Sequence, residues 1–208
     1  MRTALNTELF PDCEVVEMPL HNQWIYSIQK NGSSSLRIQQ SRDNLAMFVN
    51  EKINDLDFVD VYIREPRDRY INGINTYLQF LKRDHPELDY NTAFWFARRY
   101  KFLNTHYLPQ FYWIANLSRY LHSDAKIRLR NFQDFGKIAR INAKPTGVTA
   151  PSEDFIETLF KDDVNIEFWL FLDQILCDLC GQELSWQQLL NHYQDCHPDI
   201  IKNVLPKT

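Results

Sequence analysis

Lys30-Asn31-Gly32-Ser33-Ser34-Ser35 gathers one ammonium, one glycine and three hydroxyls in six residues. At a helix start such a run offers backbone N–H groups, hydroxyl donors and the positive end of the helix dipole, which together suit a phosphate. The order differs from the GxxxxGK[ST] of a triphosphatase loop, because Lys30 precedes the only glycine of the turn. Taken alone, the run is weak evidence and fits a plain strand-to-helix connection better. A second basic run changes that balance: Arg64-Glu65-Pro66-Arg67-Asp68-Arg69, with Asn72 shortly after. Guanidinium groups bind phosphate through paired charge-assisted hydrogen bonds, so Arg64 is a candidate for a second phosphate of the same ligand. The competing reading is a surface network of Arg64 with Glu65 and Asp68.

A third cluster closes the chain. Cys177, Cys180, His192 and His197 read C-x2-C-x11-H-x4-H, with Cys196 as an alternative fourth ligand. Four such ligands suit a closed, tetrahedral and therefore structural zinc site. Two other readings stand beside it, cysteines buried on a helix and a redox Cys-x-x-Cys pair. The stretch between Cys180 and His192 contains no Lys or Arg, so a finger here would contact protein rather than nucleic acid.

Elements must place these groups. The aromatic and β-branched run Trp24–Ile28 reads as a strand before the Gly/Ser turn, and 36–50 as one or two short helices. Phe58–Ile63 reads as a second strand. Pro66 then opens a helix in which Tyr70, Ile74, Tyr77 or Leu78, and Leu81 recur at helical spacing. Further helices are expected over 91–102 and 153–176, and a short strand over Ile127–Phe132. This alternation predicts an α/β fold, a parallel sheet flanked by helices, with ligands at the carboxyl ends of the strands. The expected division is a main domain over 1–172 and a small helical tail over 173–208.

Composition sets the class. A chain of 208 residues with 44% hydrophobic residues and five glycines supports one main core. The net charge of −4 gives no global attraction to nucleic acid or anionic membranes, although Arg98-Arg99-Tyr100-Lys101 and 126–130 are locally basic. The first residues lack a signal-peptide core, and the run Phe168–Leu172 is too short to cross a bilayer. A soluble, cytoplasmic protein without a disulfide-rich framework is the expectation.

The paired strand-turn segments resemble the two nucleotide motifs of sulfotransferases that use 3′-phosphoadenosine 5′-phosphosulfate (PAPS), in particular the carbohydrate-type and related bacterial enzymes. There the second motif reads Arg-x-Pro-x-x-Arg, with a serine eight residues after the first arginine; Asn72 stands at that position here. Asn104-Thr105-His106-Tyr107-Leu108-Pro109-Gln110 is similar to the family's Asp-x-His-x-x-Pro-Gln, with Asn104 in place of the acid. Ile127–Phe132 resembles its late strand and Phe160-Lys161-Asp162-Asp163 its closing helix, so the likeness spans 14–171.

The resemblance implies a P-loop-like sulfotransferase fold and sulfuryl transfer from PAPS to a hydroxyl or amine acceptor, such as a carbohydrate or small metabolite. By the same resemblance Lys30 contacts the 5′-phosphate and bridging oxygen, Asn31 and Gly32 with Ser33, Ser34 and Ser35 hold the 5′ end, and Arg64 and Asn72 bind the 3′-phosphate. No catalytic metal is implied. His106 is the candidate general base, because imidazole titrates near neutral pH; its other reading is a histidine bonded within the fold. Glu65 and Asp68 are weaker rivals, Arg69 is equally a structural partner for a carboxylate, and Gln110 is a candidate for orienting the loop. The alternative function is a non-catalytic nucleotide-type fold whose zinc finger-like tail binds protein.

Overall fold

Strands that are apolar on both sides need cover on both faces, and this chain supplies it from two sets of helices. The computed structural model describes residues 12–89, 92, 106–139, 154–155, 157–158 and 164–197. Its sheet is formed by β1 (Glu14–Met18), β2 (Gln23–Tyr26), β3 (Met47–Val49), β4 (Phe58–Ile63), β5 (Lys126–Asn131) and β6 (Glu183–Leu184), in the order β3-β1-β2-β4-β5-β6. Strands β2, β4 and β5 are parallel, with Ile25 opposite Asp60 and Ile63 opposite Asn131. The β1–β2, β1–β3 and β5–β6 pairs are antiparallel.

The α/β class is as expected, but the sheet is mixed rather than wholly parallel. Between β1 and β2 lies a single 3₁₀ turn, Pro19–His21, closed by Asn22 at φ 49°. So short a link permits only an antiparallel return. The outer strands β3 and β6 have three and two residues, too few to show a period in sequence.

The helices are α1 (Ser33–Asp43), α2 (Pro66–Asp84), α3 (Gln110–Leu117), α4 (Val164–Asp178) and α5 (Trp186–Cys196). On one face Val59, Val61, Ile127 and Leu129 pack with Phe111 of α3, Leu172 and Leu176 of α4, and Tyr193 of α5. On the other, Val16, Ile25 and Tyr62 meet Leu36 of α1 and Phe135 of a 3₁₀ segment, Phe132–Lys137. Helix α2 lies further out, joining α4 through Tyr70, Ile74 and Trp169.

Several boundaries differ from the sequence reading. Helix α1 starts three residues before Leu36 and stops at Asp43, where Asn44 turns left-handed (φ 49°) and frees 47–49 to form β3. The boundary set after 172 falls inside α4, while β6 pairs with β5 and Leu189, Leu190 and Tyr193 join the main core. The helix expected over 91–102, Asn104 and the signature at 160–163 lie outside the described residues, apart from Thr92. Among the described residues no helix is long and apolar enough to cross a membrane.

Candidate anion-binding site

The loop after β2 is shaped by two left-handed residues, Lys30 at φ 69° and Gly32 at φ 85°. For lysine that conformation costs about 1–2 kcal/mol, so the surroundings must hold it. Gly32 is required for a second reason: a Cβ there would lie 2.3 Å from Cε1 of the buried Phe135 ring. The first bond of α1 is Leu36 N–H to the Gly32 carbonyl (2.9 Å), so α1 presents its N-terminal turn, and with it the positive end of its dipole, at this point. A cleft of about 280 Å³ opens here, lined by Gln29, Lys30, Gly32, Ser33, Ser34, Ser35, Arg37 and His106.

The loop after β4 is built otherwise. Pro66 occupies the first turn of α2 and the Glu65 carboxylate caps it, accepting from Arg67 N (3.0 Å) and Asp68 N (2.6 Å). Both oxygens of the Glu65 carboxylate are thus engaged by backbone N–H groups. The Arg64 guanidinium donates to the Lys30 carbonyl (3.3 Å) and rests over the Phe132 ring, 5.5 Å from its centroid. It forms no ion pair with Glu65 or Asp68, whereas Arg67 pairs outward with Glu157. Ile63, Arg64, Glu65, Asp68, Asn131, Phe132, Gln133, Gln174, Cys177 and Cys180 line a second cleft, of about 370 Å³. Both clefts stand at the carboxyl edge of the adjacent parallel strands β2 and β4.

Beneath them runs a buried polar network. Asn31 Nδ2 donates to the Tyr62 carbonyl (2.6 Å) and to Gln110 Oε1 (2.5 Å), and its Oδ1 accepts from Arg69 Nε (3.2 Å). Gln110 Oε1 also accepts from Arg64 N (2.9 Å), while its Nε2 donates to the Arg64 carbonyl (2.9 Å) and to Asp173 Oδ2 (3.2 Å). Arg69, 1% exposed, donates to the carbonyls of Leu108 (2.5 Å) and Gln29 (3.2 Å). Arg69 is therefore structural; its partners are backbone carbonyls and Asn31, with the Asp173 carboxylate near enough to attract it.

Three cations meet in this corner, and burial with mutual repulsion marks it as electropositive. Desolvation, then Arg64 and Arg69, brings the Lys30 ammonium down to about 8. Arg64 is lowered by desolvation, partly offset by Asp68 and Glu65. Lys30 Nζ donates to Thr76 Oγ1 of α2 (2.5 Å). An anion entering here relieves the repulsion, which is the electrostatic basis of an anion site.

His106 sits in the Lys30 cleft, its ring edge-on to Phe80 with centroids 5.6 Å apart. Desolvation, then Lys30 and Arg69, lowers it to about 4, so it is neutral at pH 7 and a weak proton acceptor. Gly73 lets α2 reach this segment: a Cβ there would stand 2.4 Å from the His106 carbonyl oxygen.

The predicted residues thus divide. Lys30, Gly32, Ser33, Ser34, Ser35 and His106 share one cleft, and Arg64 lies in the next. Asn31, expected at the ligand, is buried and turned inward to the network. Asn72 lines neither cleft; it is exposed and donates to the Asp68 carbonyl (2.7 Å). The proposed zinc ligands are not brought together: among the described residues no three His, Cys, Asp or Glu side chains converge. Cys177 Sγ donates to the Arg64 carbonyl and Cys180 Sγ to that of Leu176, and burial raises the two thiols to about 12 and about 11. His192 is exposed, and His197 lies edge-on to Phe168 and Phe171. The donor set does not fit a closed tetrahedral site in this arrangement.

Thr76 and Phe132 escaped the sequence reading. Thr76 follows Asn72 by four residues and so shares its side of α2, a signal the periodicity carried. Phe132 needed the pairing of β4 with β5 to place it beside Arg64. No family model matches the chain, and no curated protein or solved structure matches it either.

Proposed function

We propose that the protein is a sulfotransferase that moves a sulfuryl group from PAPS to a hydroxyl or amine acceptor, a carbohydrate or small metabolite. One observation carries this reading: two cation-bearing clefts at the ends of adjacent parallel strands, built by loops that hydrogen-bond each other. A ligand with phosphates at both ends of a nucleoside matches two such clefts. The α1 turn after β2 and the order β2-β4-β5 support the P-loop-like version of the fold.

In the reaction the bond from sulfur to the 5′-phosphate oxygen breaks as a bond from sulfur to the acceptor oxygen forms, and 3′-phosphoadenosine 5′-phosphate leaves. Catalysis is then positioning plus charge stabilisation. Lys30 donates to the bridging oxygen as negative charge grows there, and the N-terminal turn of α1 holds the 5′-phosphate. Arg64, pre-set over Phe132, binds the 3′-phosphate. His106 takes the acceptor proton; desolvation first, then Lys30 and Arg69, lowers its basicity, and the donor's negative charge offsets the part due to those two cations.

Transfer of label from PAPS to a panel of sugars and small metabolites tests the reading. Turnover with the native chain and its loss in Lys30→Ala are expected. A Lys30→Ala variant as active as the native chain would overturn it.

A further inference from the structure

We infer that Gln110 is a positioning residue that sets the separation of the two anion clefts while lining neither. The inference rests on the two-phosphate reading above and says which residue makes that reading selective. Gln110 is fully buried at the first position of α3. Its amide has two acceptor and two donor positions, and all four are engaged. Oε1 accepts from Asn31 Nδ2 (2.5 Å) and Arg64 N (2.9 Å); Nε2 donates to the Arg64 carbonyl (2.9 Å) and Asp173 Oδ2 (3.2 Å). Asn31 adjoins Lys30, and Arg64 is itself the second cation. One amide therefore joins the backbone of one anion loop to the residue that shapes the other.

The far side of the amide is fixed as well. Asp173 is 4% exposed and its Oδ1 accepts from Phe111 N (3.1 Å), which ties α4 to the start of α3. Arg69 closes the network from α2, holding Asn31 Oδ1. The loops can thus change their spacing only by breaking buried hydrogen bonds, each of which leaves an unsatisfied partner. A ligand that bridges two sites gains from the second contact only when the geometry allows both at once, and loses that gain when the spacing shifts. A ligand held at one site is indifferent to the spacing.

Calorimetry on the full chain with 3′-phosphoadenosine 5′-phosphate, 5′-AMP and 3′-AMP separates these cases. Gln110→Asn, one methylene shorter, is expected to weaken the bisphosphate at least about tenfold while moving each monophosphate less than about threefold, the signature of lost simultaneous engagement. An equal loss for all three nucleotides would make Gln110 merely structural, and an unchanged bisphosphate affinity would remove its role altogether. Native protein that binds the bisphosphate no tighter than 5′-AMP would instead overturn the two-phosphate reading, and this inference with it. If Gln110→Asn does not fold, hydrogen exchange in the native protein decides. Saturation with 5′-AMP, which engages the Lys30 loop, should slow exchange of the Arg64 amide through Gln110; protection confined to 30–36 would contradict the coupling.

Discussion

The corner at the ends of β2 and β4 and the Cys/His segment at the end of the chain both gather chemistry-bearing residues in the sequence and fold to opposite outcomes. In the corner, residues more than thirty positions apart become neighbours, because adjacent strands of a sheet lie about 4.8 Å apart and whatever follows them must share an edge. In the tail, Cys177 and Cys180 share one cleft, but among the described residues no three His, Cys, Asp or Glu side chains converge. Helices α4 and α5 are oriented by Leu176, Leu189 and Tyr193, and the Tyr193 hydroxyl donates to the Leu172 carbonyl (2.7 Å). His192 precedes Tyr193 by one residue, about 100° around the helix, so burying the tyrosine turns the histidine outward. A motif that depends on strand ends is enforced by the sheet, whereas one that depends on helix rotation yields to the core.

The largest effect that can break this contrast comes from Gly32→Ala. The left-handed backbone costs about 1–2 kcal/mol and overpacking against Phe135 about 1–3 kcal/mol. At this chain length a loss of that size lowers Tm by roughly 10 °C. Thermal unfolding within 2 °C or so of the native value would show that the loop does not need this glycine.

Arg64→Ala comes next. Losing a charged hydrogen-bonding partner for phosphate costs about 1.5–3 kcal/mol, or roughly 10–150-fold in bisphosphate affinity, while 5′-AMP binding changes little. An equal drop for both nucleotides would detach Arg64 from the 3′-phosphate.

Lys30 gives a pH dependence with a definite sign. Its ammonium is lowered to about 8, so the free protein loses this charge as pH rises above that value. Affinity for the bisphosphate should be flat below about pH 8 and fall above it by up to about tenfold per pH unit, and Lys30→Met should flatten the profile. Affinity rising through pH 8–9 would contradict the assignment.

His106 acts on stability in the acid range. Its folded value of about 4 lies below the ordinary 6.5, so the unfolded chain holds the extra proton between those values. Stability therefore rises with pH across that window, and His106→Gln should shallow the rise in urea unfolding. The smallest expected effect is in the tail: His192→Ala, at an exposed site, should change stability by less than about 0.5 kcal/mol and leave nucleotide affinity unchanged. A loss of several kcal/mol there would restore a structural role to the Cys/His set.

Much of the corner was legible in sequence because strand and turn chemistry agree: the run read as a strand over Trp24–Ile28, observed over Gln23–Tyr26, leads into the Gly/Ser turn, and Phe58–Ile63 leads into Pro66. The antiparallel β3 and β6, of three and two residues, were not, being too short to show a period, and the five-residue β1 was not read as a strand either. Asn31 was misread because a polar residue in a polar loop gives no sign of its direction; the buried Gln110 and Arg69 turn it inward. Asn72 was placed by its interval from Arg64 alone, yet its amide bonds along its own helix to Asp68.

Calorimetric titration of the full chain with 3′-phosphoadenosine 5′-phosphate and with AMP bears most directly on the paired-cleft site. A charge-assisted contact to the additional phosphate contributes about 1.5–3 kcal/mol, so the bisphosphate should bind at least about tenfold tighter. Equal affinities for the two nucleotides, or no binding of either, would contradict it.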